Sequence, residues 1–322
     1  MPGIPPNAPR VTIAIPTYNR AKTYLPVCLE GVLRQTYPNL EIIVADNGST
    51  DDTPAVVRRY NDPRIRYFRQ PRNITPNDNF NFCLRQASGA YFQLLLDDEQ
   101  IDPDFVETCL RFAQFRTDVG LIRTGLRVVD VNGVLIDEAP NAAGGTALSE
   151  LFLDWFAGRT KIYLCNTLIN RAALIDVGGF ASRHNLFQDV MAQVRVAAKM
   201  PRIDVPHVKA STRLHRGQFT YSAKVQAWCE DSLDLLALMC RLAADRQELV
   251  RARGLRFFAM IGYSRANAVR SPIERMRAYA TVYQRFDRRH WPPLRMALSG
   301  TTIYRSLRDM KRRMLHKPVW AD

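Results

Sequence analysis

The 322-residue chain predicts an α/β domain built on a parallel sheet, continued by a helical, basic extension. Three observations carry that class. Val11-Thr12-Ile13-Ala14-Ile15 and Glu41-Ile42-Ile43-Val44-Ala45 are β-branched runs separated by a helical pattern at Leu25, Cys28, Leu29, Val32 and Leu33. Strand, helix, strand is a βαβ unit, with a right-handed crossover and parallel strands. Both runs open into polar loops, Thr17-Tyr18-Asn19-Arg20 and Asp46-Asn47-Gly48-Ser49, and ligands of such sheets bind beyond the carboxyl ends of the strands. From Arg241 to Asp322 the chain holds 19 Lys and Arg against 6 Asp and Glu, nearly the whole of its net charge of +14. The division expected is an α/β domain over 1–222 and a helical basic region over 223–322.

Taken in order, Pro16 ends the first strand, and Gln35-Thr36-Tyr37-Pro38 stops the first helix. Thr53 to Tyr60 reads as a helix, Ile65 to Phe68 as a short strand and Asn79 to Gln86 as a helix with Gly89 as its stop. Tyr91 to Leu96 is an apolar strand that ends in three adjacent carboxylates, Asp97-Asp98-Glu99. Beyond Pro103, Phe105, Val106, Cys109, Leu110 and Phe112 repeat at helical spacing. Three acids at the exposed end of a strand repel one another unless positive charge sits among them, and carboxylate oxygens hold hard divalent cations in this way. The alternative is an acidic loop that favours the dipole of the following helix.

Composition excludes several classes. The six cysteines are scattered, with no C-x-x-C pair, which fits a reduced cytoplasmic protein with buried thiols. Met1 to Arg10 lacks the apolar core of a signal peptide, and no apolar run approaches the ~20 residues that span a bilayer. There is no G-x-G-x-x-G or Walker loop. A nearly neutral body with a basic tail points to docking on an anionic surface, such as the inner face of a membrane, and not to a nucleic-acid-binding protein.

The series Ile15-Pro16-Thr17-Tyr18-Asn19-Arg20, Val44-Ala45-Asp46-Asn47-Gly48-Ser49-Thr50-Asp51, Gly89-Ala90-Tyr91, Leu96-Asp97-Asp98-Glu99, Val177-Gly178-Gly179-Phe180, Gln188-Asp189 and Arg213-Leu214-His215 resembles the family 2 glycosyltransferases. Those enzymes have the GT-A fold, a Rossmann-like nucleotide-binding sheet. The resemblance covers roughly Arg10 to Thr220. It implies metal-dependent, inverting transfer from a UDP-, GDP- or dTDP-sugar to a glycan or lipid-linked acceptor, in cell-surface glycan or glycoconjugate assembly. By the same resemblance Tyr18 packs on the base, Pro16 and Thr17 shape the loop beside it, and Asp46 accepts a hydrogen bond from the base; a plain turn is the other reading of Asp46-Asn47-Gly48.

The departing diphosphate calls for a divalent cation, Mn²⁺ or Mg²⁺, as Lewis acid. The family commonly carries Asp-x-Asp, and this chain has Leu96 where one alignment puts the first Asp. On that count Asp98 is the metal ligand, Asp97 faces the ribose or a metal-bound water, and Glu99 assists; on the other count Asp97 and Glu99 form the pair. His215 would complete the coordination, and Arg213 would pair with a phosphate oxygen. Asp189 would be the base that takes the acceptor's proton, the alternative being an ordinary acid in a helix's first turn. The departure at Leu96 also motivates a rival reading, a noncatalytic sugar-nucleotide or glycan-binding protein on the same fold. Gly144-Gly145 with Phe152, Trp155 and Phe156 is either an acceptor loop or core packing. Tyr304, Leu307, Met310, Met314 and Leu315, interleaved with Arg305, Arg308, Lys311, Arg312 and Arg313, read as a basic amphipathic helix for a membrane surface, for a protein partner or for packing against the catalytic domain.

Overall fold

The structure, a computed structural model, describes residues 3–215 and 223–292. The basic pattern at 304–315 lies outside them. The first half follows the predicted alternation: β1 (Val11–Thr17), α1 (Leu25–Leu33), β2 (Leu40–Asp46), α2 (Thr53–Arg58), β3 (Ile65–Arg69), α3 (Pro76–Gln86), β4 (Tyr91–Leu94), β5 (Gln100–Ile101) and α4 (Phe105–Phe112). Then come β6 (Leu121–Val129), β7 (Leu135–Ala139), α5 (Leu148–Phe156), β8 (Thr167–Asn170), α6 (Arg171–Asp176), α7 (Gln188–Ala197) and β9 (Arg202–Arg213). Helices α8 (Val225–Leu242), α9 (Gln247–Asn267) and α10 (Pro272–Arg285) follow.

Among the described residues the strands form one nine-stranded sheet in the order β3-β2-β1-β4-β8-β6-β9-β5, with β7 paired to β6. The β3-β2-β1-β4 half is parallel. β8 runs antiparallel between β4 and β6, and β9 lies parallel to β6. The carboxyl ends of β1, β2, β4, β6 and β9 therefore share one edge. Every residue of β1 and β2 is buried, as expected for a sheet covered on both faces. Ile13 and Ile15 face the core shared with Leu25, Leu29 and Phe105, while Ala14 faces the opposite core with Phe80, Phe92 and Phe180.

Boundaries differ from expectation where side chains intervene. Helix α3 starts at Pro76, earlier than its apolar pattern suggests, because the Thr75 hydroxyl caps the Asp78 N–H at 3.2 Å. It is capped by Ala87, and Gly89 instead bonds the Thr12 hydroxyl of β1. Strand β4 stops at Leu94, two residues short, since the Leu96 N–H turns to the Glu99 carboxylate at 3.1 Å.

A third core joins α8, α9 and α10 to earlier helices. Trp228, Leu235, Leu236 and Met239 of α8 and Phe258 of α9 pack with Leu151, Phe152 and Trp155 of α5 and with Val190, Met191 and Val194 of α7. Phe152 and Trp155 thus serve as core, each buried ring contributing about 2–3 kcal/mol. All six cysteines are buried free thiols.

Candidate active site

The polar loops at the sheet edge are built on one another. Asn19 adopts a left-handed conformation (φ 54°). Its side-chain oxygen accepts the Thr50 N–H at 2.8 Å, and its own N–H donates to the Ser49 hydroxyl at 2.9 Å. Asp51 accepts the Ala21 N–H, tying the β1 loop to the β2 loop a second time. Gly48 (φ 75°) is required, because a Cβ there would meet the Arg72 backbone at 2.7 Å. Asp46, wholly buried at the end of β2, accepts from the Ser49 N–H at 2.8 Å and from the Tyr67 hydroxyl at 2.6 Å. One oxygen therefore shapes the turn and the other is held by β3. Tyr18, beside it, is 41% exposed, a ring free to take a flat partner. Pro16 and Thr17 are buried at the end of β1.

The acidic turn lies alongside. Asp97 is half-buried and accepts the Thr17 hydroxyl at 2.7 Å. Asp98 Oδ2 and His215 Nε2 stand 2.7 Å apart, both buried, which joins the end of β4 to the segment after β9. Glu99 turns inward and caps the Leu96 N–H. The expectation of an exposed cluster is corrected here: Asp98 is 8% and Glu99 4% exposed, because β9 and the β1 loop close over the turn. Burial, opposed by the Thr17 hydrogen bond and reinforced by the charge of Asp98, pushes Asp97 up to about 7. Burial and Asp98 together push Glu99 up to about 8.

Whether a divalent cation suits the site depends on the donor atoms it offers. Among the described residues no three His, Cys, Asp or Glu side chains converge on one point. Asp98 and His215 offer one carboxylate oxygen and one imidazole nitrogen side by side. A cation completed by diphosphate oxygens and water needs no more from the protein, so this pair fits one, whereas the inward-turned Glu99 does not join it.

Arg213 is buried at the end of β9, and its Nη1 donates to the Asp130 and Val131 carbonyls. Tyr24, just before α1, collects the basic groups of the site. Its ring lies 4.9 Å from the His215 ring, with the Arg213 and Arg20 guanidinium carbons 5.2 and 5.6 Å from its centroid.

Asp189 occupies the first turn of α7, where burial, against the lowering hydrogen bond from the Val190 N–H, pushes its carboxyl up to about 6. Tyr163 feels the charge of both Asp189 and the acidic turn. Burial pushes this hydroxyl up to about 12, with Cys165, Glu99 and Asp189 adding negative charge around it. The loop that delivers Asp189 is clamped from two sides. Asn81 of α3 donates to the Phe180 carbonyl at 2.7 Å and accepts its N–H at 2.9 Å, an approach that needs Gly179 (φ 68°), since a Cβ would meet Asn81 Oδ1 at 2.3 Å. Asp231, wholly buried on α8, accepts the His184 N–H at 3.0 Å and the Leu186 N–H at 3.1 Å.

Sequence reasoning missed Tyr24, Tyr163 and Asp231. Tyr24 and Tyr163 stand in loops without a motif. Asp231 sits in a helical pattern where an acid reads as solvent-facing; the only local signal is its place between the apolar Trp228 and Leu235.

Comparison with known proteins adds three findings. Residues 12–136 match the family described as Glycosyl transferase family 2. Chondroitin synthase of Escherichia coli is 38% identical over 137 residues, 41% of this chain and 19% of that protein. The GalNAc(5)-diNAcBac-PP-undecaprenol beta-1,3-glucosyltransferase of Campylobacter jejuni is 36% identical over 108 residues, 33% of this chain and 35% of that one. The chain thus spans well under half the length of these relatives. Among solved structures, S. aureus TarS in complex with UDP-GlcNAc superposes with a TM-score of 0.55 at 16% identity, covering 86% of this chain and 89% of that one. The mannosyltransferase PcManGT of Pyrobaculum calidifontis, in complex with GDP-Man and Mn²⁺, gives a TM-score of 0.54 at 18% identity over 97% of this chain and 82% of that one. The fold is therefore GT-A-like.

Proposed function

Given that the chain carries a glycosyl transferase family 2 domain on a GT-A-like fold, we propose that it is an enzyme that transfers a sugar from a nucleotide-sugar donor to a hydroxyl acceptor with inversion, in glycan or glycoconjugate assembly. The observation that carries this reading is the meeting at one sheet edge of the Asp98–His215 pair with Asp97, Thr17 and Asp46, with Asp189 in the first turn of α7. Tyr18 stacks on the base and Asp46 accepts from it with a remaining lone pair. Asp97 faces the ribose. Arg213 and Arg20, ordered against Tyr24, lie toward the diphosphate. Mn²⁺ or Mg²⁺, held by Asp98 and His215, would supply Lewis-acid stabilisation of the leaving diphosphate.

Asp189 acts as the base. The acceptor oxygen attacks the anomeric carbon as the bond to the diphosphate oxygen breaks, and the hydroxyl proton passes to the carboxylate. A carboxyl held near pH 6 by burial is ionised at neutral pH yet more basic than an ordinary aspartate. The relatives' printed activities support UDP- or GDP-sugar donors and a glycan or lipid-linked acceptor.

The test is donor binding and hydrolysis across UDP-, GDP- and dTDP-sugars, with and without Mn²⁺ or Mg²⁺, for the wild type and Asp98→Ala. One donor should bind and hydrolyse slowly with metal, and Asp98→Ala should lose both. Binding without turnover toward any acceptor would favour the noncatalytic reading that Leu96 motivates, and no binding at all would overturn both.

A further inference from the structure

Away from the sheet edge, a cavity of about 630 Å³ opens between α5 and α9. Its α9 wall is the stripe Leu249, Arg253, Arg256, Phe257 and Met260, residues at helical spacing on one face. The face of α9 centred on Phe258 is spent on the helical core, and Phe257 and Met260 pack against the edge of that core as well. From α5 and its continuation come Leu153, Phe156 and Arg159. Phe156 and Phe257 meet at 5.1 Å between ring centroids and form an apolar floor. At Gly254 beside them a Cβ would meet Leu236 Cδ1 of α8 at 2.3 Å and the Phe156 ring edge at 3.2 Å, so the bare backbone there lets α9 pack closely on α8 and alongside Phe156.

The rim carries only positive charge. Arg159 is paired with the buried carboxylate of Asp154. Arg253 and Arg256 are exposed and make no ion pair or hydrogen bond with any described residue. Among the described residues no acidic side chain lines the cavity. Two unpaired guanidiniums above an aromatic floor match a ligand with an anionic head and an apolar tail. The chain's own final segment does not match. Residues 293–322 carry seven Lys and Arg against two Asp, so their charge repels this rim.

We propose that the α5–α9 cavity is a docking site for an anionic membrane lipid, with its phosphate between Arg253 and Arg256 and its acyl chain over Phe156, Phe257 and Met260. The site is separate from the sugar-transfer residues and does not depend on that reading. It gives the protein a fixed orientation on a membrane surface, in addition to the general attraction of its basic charge.

The test is co-sedimentation of the full chain with vesicles of phosphatidylcholine alone or mixed equally with phosphatidylglycerol. The wild type should partition onto the mixed vesicles, and inorganic phosphate should displace it no more than chloride at the same ionic strength. Arg253→Glu/Arg256→Glu should lower it by at least about tenfold. The charge-matched control Arg10→Glu/Arg34→Glu, on exposed arginines at the far end of the sheet, should change it by about twofold or less. Circular dichroism and the thermal unfolding midpoint should be unchanged in both, which reports that each is folded; if the double glutamate is not, Arg253→Gln/Arg256→Gln replaces it with the same expectation of loss. Equal loss in the two pairs, retention in the cavity variant, or displacement by inorganic phosphate beyond that by chloride would each overturn the proposal.

Discussion

The β1–β4 half of the sheet and the α8–α10 helices stabilise the protein in the same way and contribute to the site in different ways. In the sheet, functional atoms are placed by strand ends. Thr17, Asp46 and the acidic turn follow β1, β2 and β4, so three consecutive parallel strands bring them to one edge. The helices place no group at that edge through their own termini. They act through Asp231, which holds the 184–186 backbone, and through Trp228 and Phe258, which pack on Phe187 at 5.4 and 5.7 Å, just before Asp189. On the proposed function, the first region binds the donor and the second aims Asp189. Function can therefore be lost in the helical region with donor binding intact.

The comparison is sharpened most by Asp189→Asn. Loss of a general base costs about 10²- to 10⁴-fold in kcat, with donor affinity unchanged by titration calorimetry; a matching loss of affinity would put Asp189 in the donor site instead. The same variant carries a stability signature. A carboxyl raised from 3.8 to about 6 in the folded state contributes stability that is full below its unfolded value and is lost as pH rises through about 6. Asparagine avoids that loss, so Asp189→Asn should be more stable than wild type at pH 7.5 by about 2–3 kcal/mol, the difference closing below about pH 4. Wild-type transfer should rise with pH through about 6.

Asp231→Ala comes next. It removes the acceptor of the part-buried His184 N–H and leaves the Leu186 N–H only the Ser182 hydroxyl at 3.2 Å, at a cost of about 1–3 kcal/mol in thermal or denaturant unfolding. Its kcat should fall about tenfold or more, since a displacement of about 1 Å in a catalytic group can cost 10²-fold, while donor binding holds. If donor binding falls as much as kcat, the division of labour between the two regions is broken. The smallest effect belongs to Tyr18→Ala. An exposed ring contributes within about 0.5 kcal/mol to stability, so the change should appear as a weaker donor KM, about tenfold at most.

The strand-end residues were legible because a β-branched run that stops in polar residues marks both an element and its functional end. Asp46 and Asp98 needed no more than that to be put on one edge. The burial of the acidic turn was not legible, since it comes from β9, more than a hundred residues away, and from the β1 loop. The antiparallel β8 between β4 and β6 was equally hidden, as local pattern does not state strand order. The Phe152, Trp155 and Phe156 patch looked uniform in sequence, yet Phe152 and Trp155 went to the core while Phe156 lines a cavity. Which face of α5 turns inward depends on α7, α8 and α9, which pack on it in one core.

The buried thiols also give the protein an internal record of its own opening. Cys28, Cys109 and Cys165 lie in one face of the sheet core, Cys83 in the other, and Cys229 and Cys240 among the helices. Burial holds most of them far above their ordinary ionisation, Cys28 and Cys165 most strongly under the added charge of the acidic turn, so a thiol reagent reaches them only when the surrounding packing parts. The order in which the six sulfurs become labelled would then trace which part of the molecule breathes first, with no probe introduced.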